Sequence, residues 1–201
     1  MIGISRKATL EPHFKRYTSI KKISIAAASP QSSSLSLSKL HTDIDGNNDV
    51  RGNALLEIVR GLNAPLTDKP TREDLMTLLA ELSNIQSGAI LQVFEMVETL
   101  VKSTGRGFRD NEEEVTNAWL VLRNISREGE VACKTLCSTP KLAEAMTNQL
   151  KGSILGPMVD AMELCTNLAK ENYKAMAVFP GLAQGVVHQL ENPTSKCQNK
   201  R

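Results

Sequence analysis

One phrase returns at a fixed interval, and it constrains the fold more than any other feature of this 201-residue chain. It reads Leu79-Ala80-Glu81-Leu82-Ser83, then Leu122-Arg123-Asn124-Ile125-Ser126, then Cys165-Thr166-Asn167-Leu168-Ala169. Glu81, Asn124 and Asn167 are separated by 43 residues at each step. A unit of about 40–47 residues is the period of stacked helical repeats, in which each unit buries its apolar face only against its neighbours. Such arrays act by presenting a surface, so the repeat points to a binding protein before any catalytic residue is weighed.

The segments between the phrases carry helical spacing. Leu55, Leu56, Val59 and Leu62 form an apolar stripe, and Pro65 and Pro70 close that segment. Thr71-Arg72-Glu73-Asp74 reads as a helix start, followed by Leu75, Leu78, Leu79 and Leu82. Gly88 to Val101 reads as one further helix, and Asn111 to Ser126 as another opened by Glu112-Glu113-Glu114. Shorter helices are predicted over Gly129 to Cys137, Pro140 to Leu150, Asn172 to Val178 and Gly181 to Leu190, with a longer one from Gly156-Pro157 to Lys170. Nothing reads as a strand. With 41% apolar but only 3% aromatic residues, the core must be built from Leu, Val, Ile, Met and Ala, a mixture that suits helices.

Charge is unevenly placed. Residues 1–42 carry seven basic residues and one acidic residue, a balance of +6, which leaves −4 on the remainder of a chain whose net charge is +2. Residues 1–50 are Ser-rich and end in the turn-forming cluster Asp43-Ile44-Asp45-Gly46-Asn47-Asn48-Asp49; they read as a disordered basic tail, with an organellar transit segment as the alternative. Residues 51–191 form the repeat domain and 192–201 a flexible C-terminal tail. No stretch approaches the ~20 apolar residues of a membrane span, and no signal-peptide core is present. The expectation is an intracellular protein, cytoplasmic or nuclear, with organellar import through the tail left open.

The repeated phrase resembles the end of the armadillo unit, a short first helix, a second helix and a long third helix closing on Leu-x-Asn-Leu-Ala/Ser. Pro180-Gly181-Leu182 is similar to that family's glycine turn between first and second helices. The resemblance spans roughly residues 70–191 and implies an all-α right-handed superhelical solenoid of about three armadillo/HEAT-like repeats. It also implies that the third helices line a concave groove holding an extended peptide or helix. Asn124 and Asn167 match the family's groove asparagines, where one amide both donates and accepts; a local turn or capping role competes. Arg123, Glu163 and, in the weakest unit, Glu81 complete the expected partner-binding set. The family's Trp position is held by Leu120 and Glu163, so the pattern of a basic import-signal receptor is absent, and Trp119 reads as core. Terminal units are expected to be more polar on their outer faces. Three units is near the lower limit for such an array, so a partner or a longer parent chain is part of the expectation.

Catalytic and metal readings are weak. Asp43, Asp45 and Asn47 match the start of a calcium loop, but Asn48 stands where Gly is required and Ala54 where the bidentate Glu is required. Cys133 and Cys137 lie one helical turn apart without a zinc signature, and read as core thiols. No phosphate loop, dinucleotide fingerprint or nucleophile elbow occurs; Gly105-Arg106-Gly107-Phe108-Arg109 reads as a connector whose arginines could meet an acidic partner. The expected function is a non-catalytic protein-interaction adaptor with no cofactor, metal or small-molecule substrate. The alternative is a helical subunit of a larger, nuclear or chromatin complex whose basic tail contacts nucleic acid.

Overall fold

The structure, a computed structural model, describes residues 48–191 other than 94, 153, 177, 178 and 180. The basic segment, the Asp43, Asp45 and Asn47 cluster and the C-terminal tail lie outside the described residues. Among the described residues the chain is all-helical, with eight α-helices, one short 3-10 turn and no strand. We number the helices α1 (Asn48–Asn63), α2 (Lys69–Leu91), α3 (Met96–Thr104), α4 (Glu112–Ser126), α5 (Glu130–Ser138), α6 (Leu142–Lys151), α7 (Leu155–Met176) and α8 (Leu182–Glu191).

Local chemistry sets most boundaries. α2 begins at Lys69 rather than at Thr71, because the Asp68 carboxylate caps it by accepting from the Thr71 N–H at 2.8 Å. Pro70 sits in the first turn, where its missing N–H leaves no bond unmade. The Thr71 side chain, and after it the Thr71 N–H, hold the Asp68 carboxyl below its ordinary value. α4 opens with Glu112, Glu113 and Glu114 in its first turn, where negative charge meets the positive end of the helix dipole. The predicted helix from Gly88 to Val101 is in fact two pieces. Its first part continues α2 to Leu91, and the chain turns at Glu95 before α3 begins.

The 43-residue interval reappears in the backbone. Inside α2, Gln86 leaves the helical region (φ −148°, ψ 51°), and inside α7 Asn172 does the same (φ −149°, ψ 56°). Midway between them stands Gly129 (φ 96°, ψ −163°), which separates α4 from α5 in a conformation open to glycine. At each of the three places a long helix hands over to a shorter one. The next turn also recurs: Glu95, Lys141 and Gly181 adopt positive φ (64°, 64° and 76°) just before α3, α6 and α8. Gly181 is the glycine that the sequence singled out, whereas Pro180 lies outside the described residues.

Packing centres on α4, which lies against α2, α3, α5 and α7. The long helices follow one another in space, α4 against α2 and α7 against α4. The second helices do likewise, α6 against α3 and α8 against α6. Trp119 of α4 is fully buried with Leu122 and Ile125, as the core reading expected. So is Glu114, a carboxylate at 0% exposure that pairs with Arg72 and Arg106 at 3.2 Å each and accepts from Ser103 Oγ at 2.9 Å. Three donors from α2, α3 and the following loop compensate its desolvation. Arg106 is therefore engaged within the fold.

Left-handed backbone costs a non-glycine L-residue about 1–2 kcal/mol, and glycine returns about 0.5–1 kcal/mol of that through unfolded-state entropy. Lys141→Gly should therefore be neutral or stabilising by up to about 1 kcal/mol in urea unfolding, and Lys141→Val, with its branched Cβ, destabilising by about 1–2 kcal/mol.

Candidate functional site

The repeated phrase lies where the long helices meet. Ser83, near the kink of α2, donates its hydroxyl to the Ala80 carbonyl at 2.8 Å and accepts from Asn124 Nδ2 of α4 at 2.8 Å. One unit later Ser126 donates to the Arg123 carbonyl at 2.6 Å and accepts from Asn167 Nδ2 of α7 at 2.8 Å. The two arrangements are the same bond displaced by the repeat, with donor and acceptor 41 residues apart in both.

Asn124 is saturated. Its amide also donates to Asn84 Oδ1 at 2.9 Å, and its Oδ1 accepts from Arg123 Nε and Nη2 at 3.4 and 3.2 Å. It is only 4% exposed. Neither expected role holds for this residue, since its amide is neither turned to an open groove nor spent on a local cap. It ties one helix to the next. The glycosylation-like triplet Asn124-Ile125-Ser126 is engaged in the same way. Asn167 is half-buried with its N–H committed to Ser126.

Toward α7 the seam is charged. Arg123 Nη1 meets Asp160 Oδ1 at 2.5 Å and its Nε lies 3.7 Å from Glu163 Oε2; Arg127 pairs with the same Glu163. Toward α2 the ion pair is the buried Arg72–Glu114 contact, and the other polar contacts are neutral or singly charged. Asn117 donates to Thr77 Oγ1 at 3.0 Å, and Thr77 donates to Glu113 at 3.0 Å. Beside that chain lies an open groove of about 590 Å³ whose lining includes Lys69, Glu73, Thr77, Arg109, Glu113 and Asn117.

Of the five residues expected to bind a partner, Arg123, Asn124 and Glu163 come together across the α4–α7 seam, and Asn167 lies along the same interface. Glu81 is exposed on α2, outside the cluster. Reasoning from the sequence missed Asp160, Arg127, Ser83 and Ser126. The serines were part of the recurring phrase, and their partners become visible once the spacing is taken as one unit less two residues.

Burial raises the Asp160 carboxyl above its ordinary value of 3.8, and the Arg123 guanidinium beside it offsets that only in part. The thiols of Cys133, Cys137 and Cys165 are likewise raised by burial, so they stay protonated at neutral pH; Cys133 Sγ donates to the Ser126 carbonyl at 3.2 Å. These cysteines behave as core residues, and all three are free. Among the described residues no group of three or more His, Cys, Asp or Glu side chains is placed to hold a metal ion, and no helix is long and apolar enough to cross a membrane. Comparison of the chain with protein-family models, with curated proteins and with solved structures gave no match.

Asn124→Asp replaces two donated hydrogen bonds with an acceptor facing acceptors. It should cost about 1–3 kcal/mol in chemical unfolding, whereas Glu81→Asn, at the same repeat position but exposed, should stay within about 0.5 kcal/mol. Asp160 binds its proton more tightly folded than unfolded, so its contribution to stability falls as pH rises from 3.8 toward its raised native value. The stability of wild type minus that of Asp160→Asn should decline across that window and level off above it, as followed by urea midpoints at successive pH values.

Proposed function

We propose that this chain is a non-catalytic protein-interaction adaptor built as an armadillo-like array. In this reading α3–α4 and α6–α7 are the second and third helices of successive units. α2 closes an earlier unit, α5 and the segments beyond the Gln86 and Asn172 kinks are first helices, and the units wind into a right-handed superhelix. The observation that carries the reading is the pair of Asn-to-Ser bonds. The same contact is made twice at the sequence period, which supports an array in which α2, α4 and α7 follow one another and present one extended surface.

The saturated Asn124 becomes a joint of that surface, and ligand contact passes to groups that face solvent. These are Glu81, Arg127, the half-buried Glu163 at its solvent edge, and the groove beside Thr77, Asn117 and Arg109. The groove carries both signs of charge, with Lys69 and Arg109 beside Glu73 and Glu113, which suits an extended peptide or helix of mixed charge.

The test is affinity purification from native lysate of full-length chain, residues 51–201 and a variant carrying Glu81→Lys, Arg109→Glu and Arg127→Glu. Both wild-type forms should recover one discrete protein, and the variant should lose it about tenfold with an unchanged melting temperature. Equal recovery by the variant would remove the surface reading. Recovery by the full chain alone would shift function to the basic segment of residues 1–42.

A further inference from the structure

The repeat allows the long helices to be compared position by position, and the comparison singles out the open flank of α7. Met76 on α2, Trp119 on α4 and Met162 on α7 share one repeat position. Met76 and Trp119 are 0% exposed, whereas Met162 is 37% exposed. Each of the first two helices has the next long helix packed against it; α7 packs chiefly against α4, α5 and α6.

Two neighbouring positions change character as well. Lys69 and Glu112 are followed by Leu155, and Glu73 and Thr116 by Val159. Leu155 and Val159 are 39% and 49% exposed, and with Met162 they form an i, i+4, i+7 stripe. α7 is thus more apolar at these positions than α2 and α4.

The second helices repeat the pattern. Counted from the left-handed residues Lys141 and Gly181, Thr147 of α6 corresponds to Val187 of α8. Thr147 is buried, packing against Gly181 at the start of α8, while Val187 is 47% exposed.

We infer that the exposed flank of α7, together with the outer face of α8, binds an amphipathic helix of another protein. The side chains exposed there define the occupant. It presents apolar side chains at i, i+4 and i+7 to Leu155, Val159 and Met162. It carries an acidic side chain opposite Lys170, which stands at the repeat position of Arg127, the partner of Glu163. The Lys170 side chain is 79% exposed, and its contact to Glu171 is long at 3.9 Å.

Ala169 stands where Ser83 and Ser126 accept an Asn amide on the earlier helices, so the occupant needs no amide there. It is not the leading face of a second copy stacked head to tail, because α1 already packs on α2 and α3 at that end.

The probe is a displayed library of helical peptides about 20 residues long, long enough for the stripe and Lys170 to be engaged together, selected against the full chain. Enriched peptides should carry the apolar spacing and an acidic residue. Their affinity should fall about tenfold on Val159→Glu or Met162→Glu at an unchanged melting temperature. Lys170→Glu should weaken them severalfold, with recovery when the peptide's acid becomes Lys. Val159→Ser serves as a milder variant if either glutamate variant fails to fold. Absence of enrichment, or enriched peptides indifferent to these substitutions, would overturn the inference. So would sedimentation of the full chain as a dimer that Val159→Glu dissociates, since the occupant would then be a second copy.

Discussion

The hydrogen bond from an asparagine amide on one long helix to a serine hydroxyl on the preceding one is the contact on which the rest depends. Helix faces that bury Leu, Ile and Met can slide along one another at little cost, because the apolar attraction is non-directional. A buried polar pair cannot slide, since breaking it strands a donor and an acceptor away from water. Asn124 to Ser83 and Asn167 to Ser126 thus fix the register of α4 on α2 and of α7 on α4. Each serine also closes a bond to the carbonyl three residues back, so its lone pair is presented in one direction. The same Asn-to-Ser bond at one period permits a residue on one long helix to be compared with its counterpart on the next.

Around that common joint the two seams differ. Between α2 and α4 the polar groups are Thr77, Asn117 and Glu113, and the large charge is displaced to Glu114, buried beneath Arg72 and Arg106. Between α4 and α7 the charges lie in the seam itself, with Arg123 and Arg127 facing Asp160 and Glu163. Ion pairs at this partial exposure contribute little net attraction but penalise any shift that leaves one charge unmatched. Apolar packing supplies the driving force at both seams, and the polar groups specify how the helices sit.

Much of this was legible in the sequence where the signal was periodic. The interval near 43 residues, the α4 boundaries, the burial of Trp119 and the special turn at Gly181 all follow from spacing and from glycine or proline punctuation. The division of Gly88–Val101 was not legible, because the turn residue is Glu95, whose left-handed conformation carries no compositional mark. Asn124 was found but its role was not. A polar residue near a helix end has the same appearance whether it faces solvent or a neighbouring helix, and only packing decides. Glu114 was hidden for a related reason, since acidic residues in a first turn ordinarily face water. The apolar identities of Leu155 and Val159 were present in the sequence, but their meaning required knowing that Glu112 and Thr116 hold the same places.

The most direct measurement is a double-mutant cycle at each joint, in which Ser83→Ala with Asn124→Ala, and Ser126→Ala with Asn167→Ala, are followed by urea unfolding. If the joints are equivalent, both cycles give a coupling energy of about 0.5–2 kcal/mol and of the same sign. Additive losses at either pair, with no coupling, would contradict the shared contact and with it the correspondence of the units.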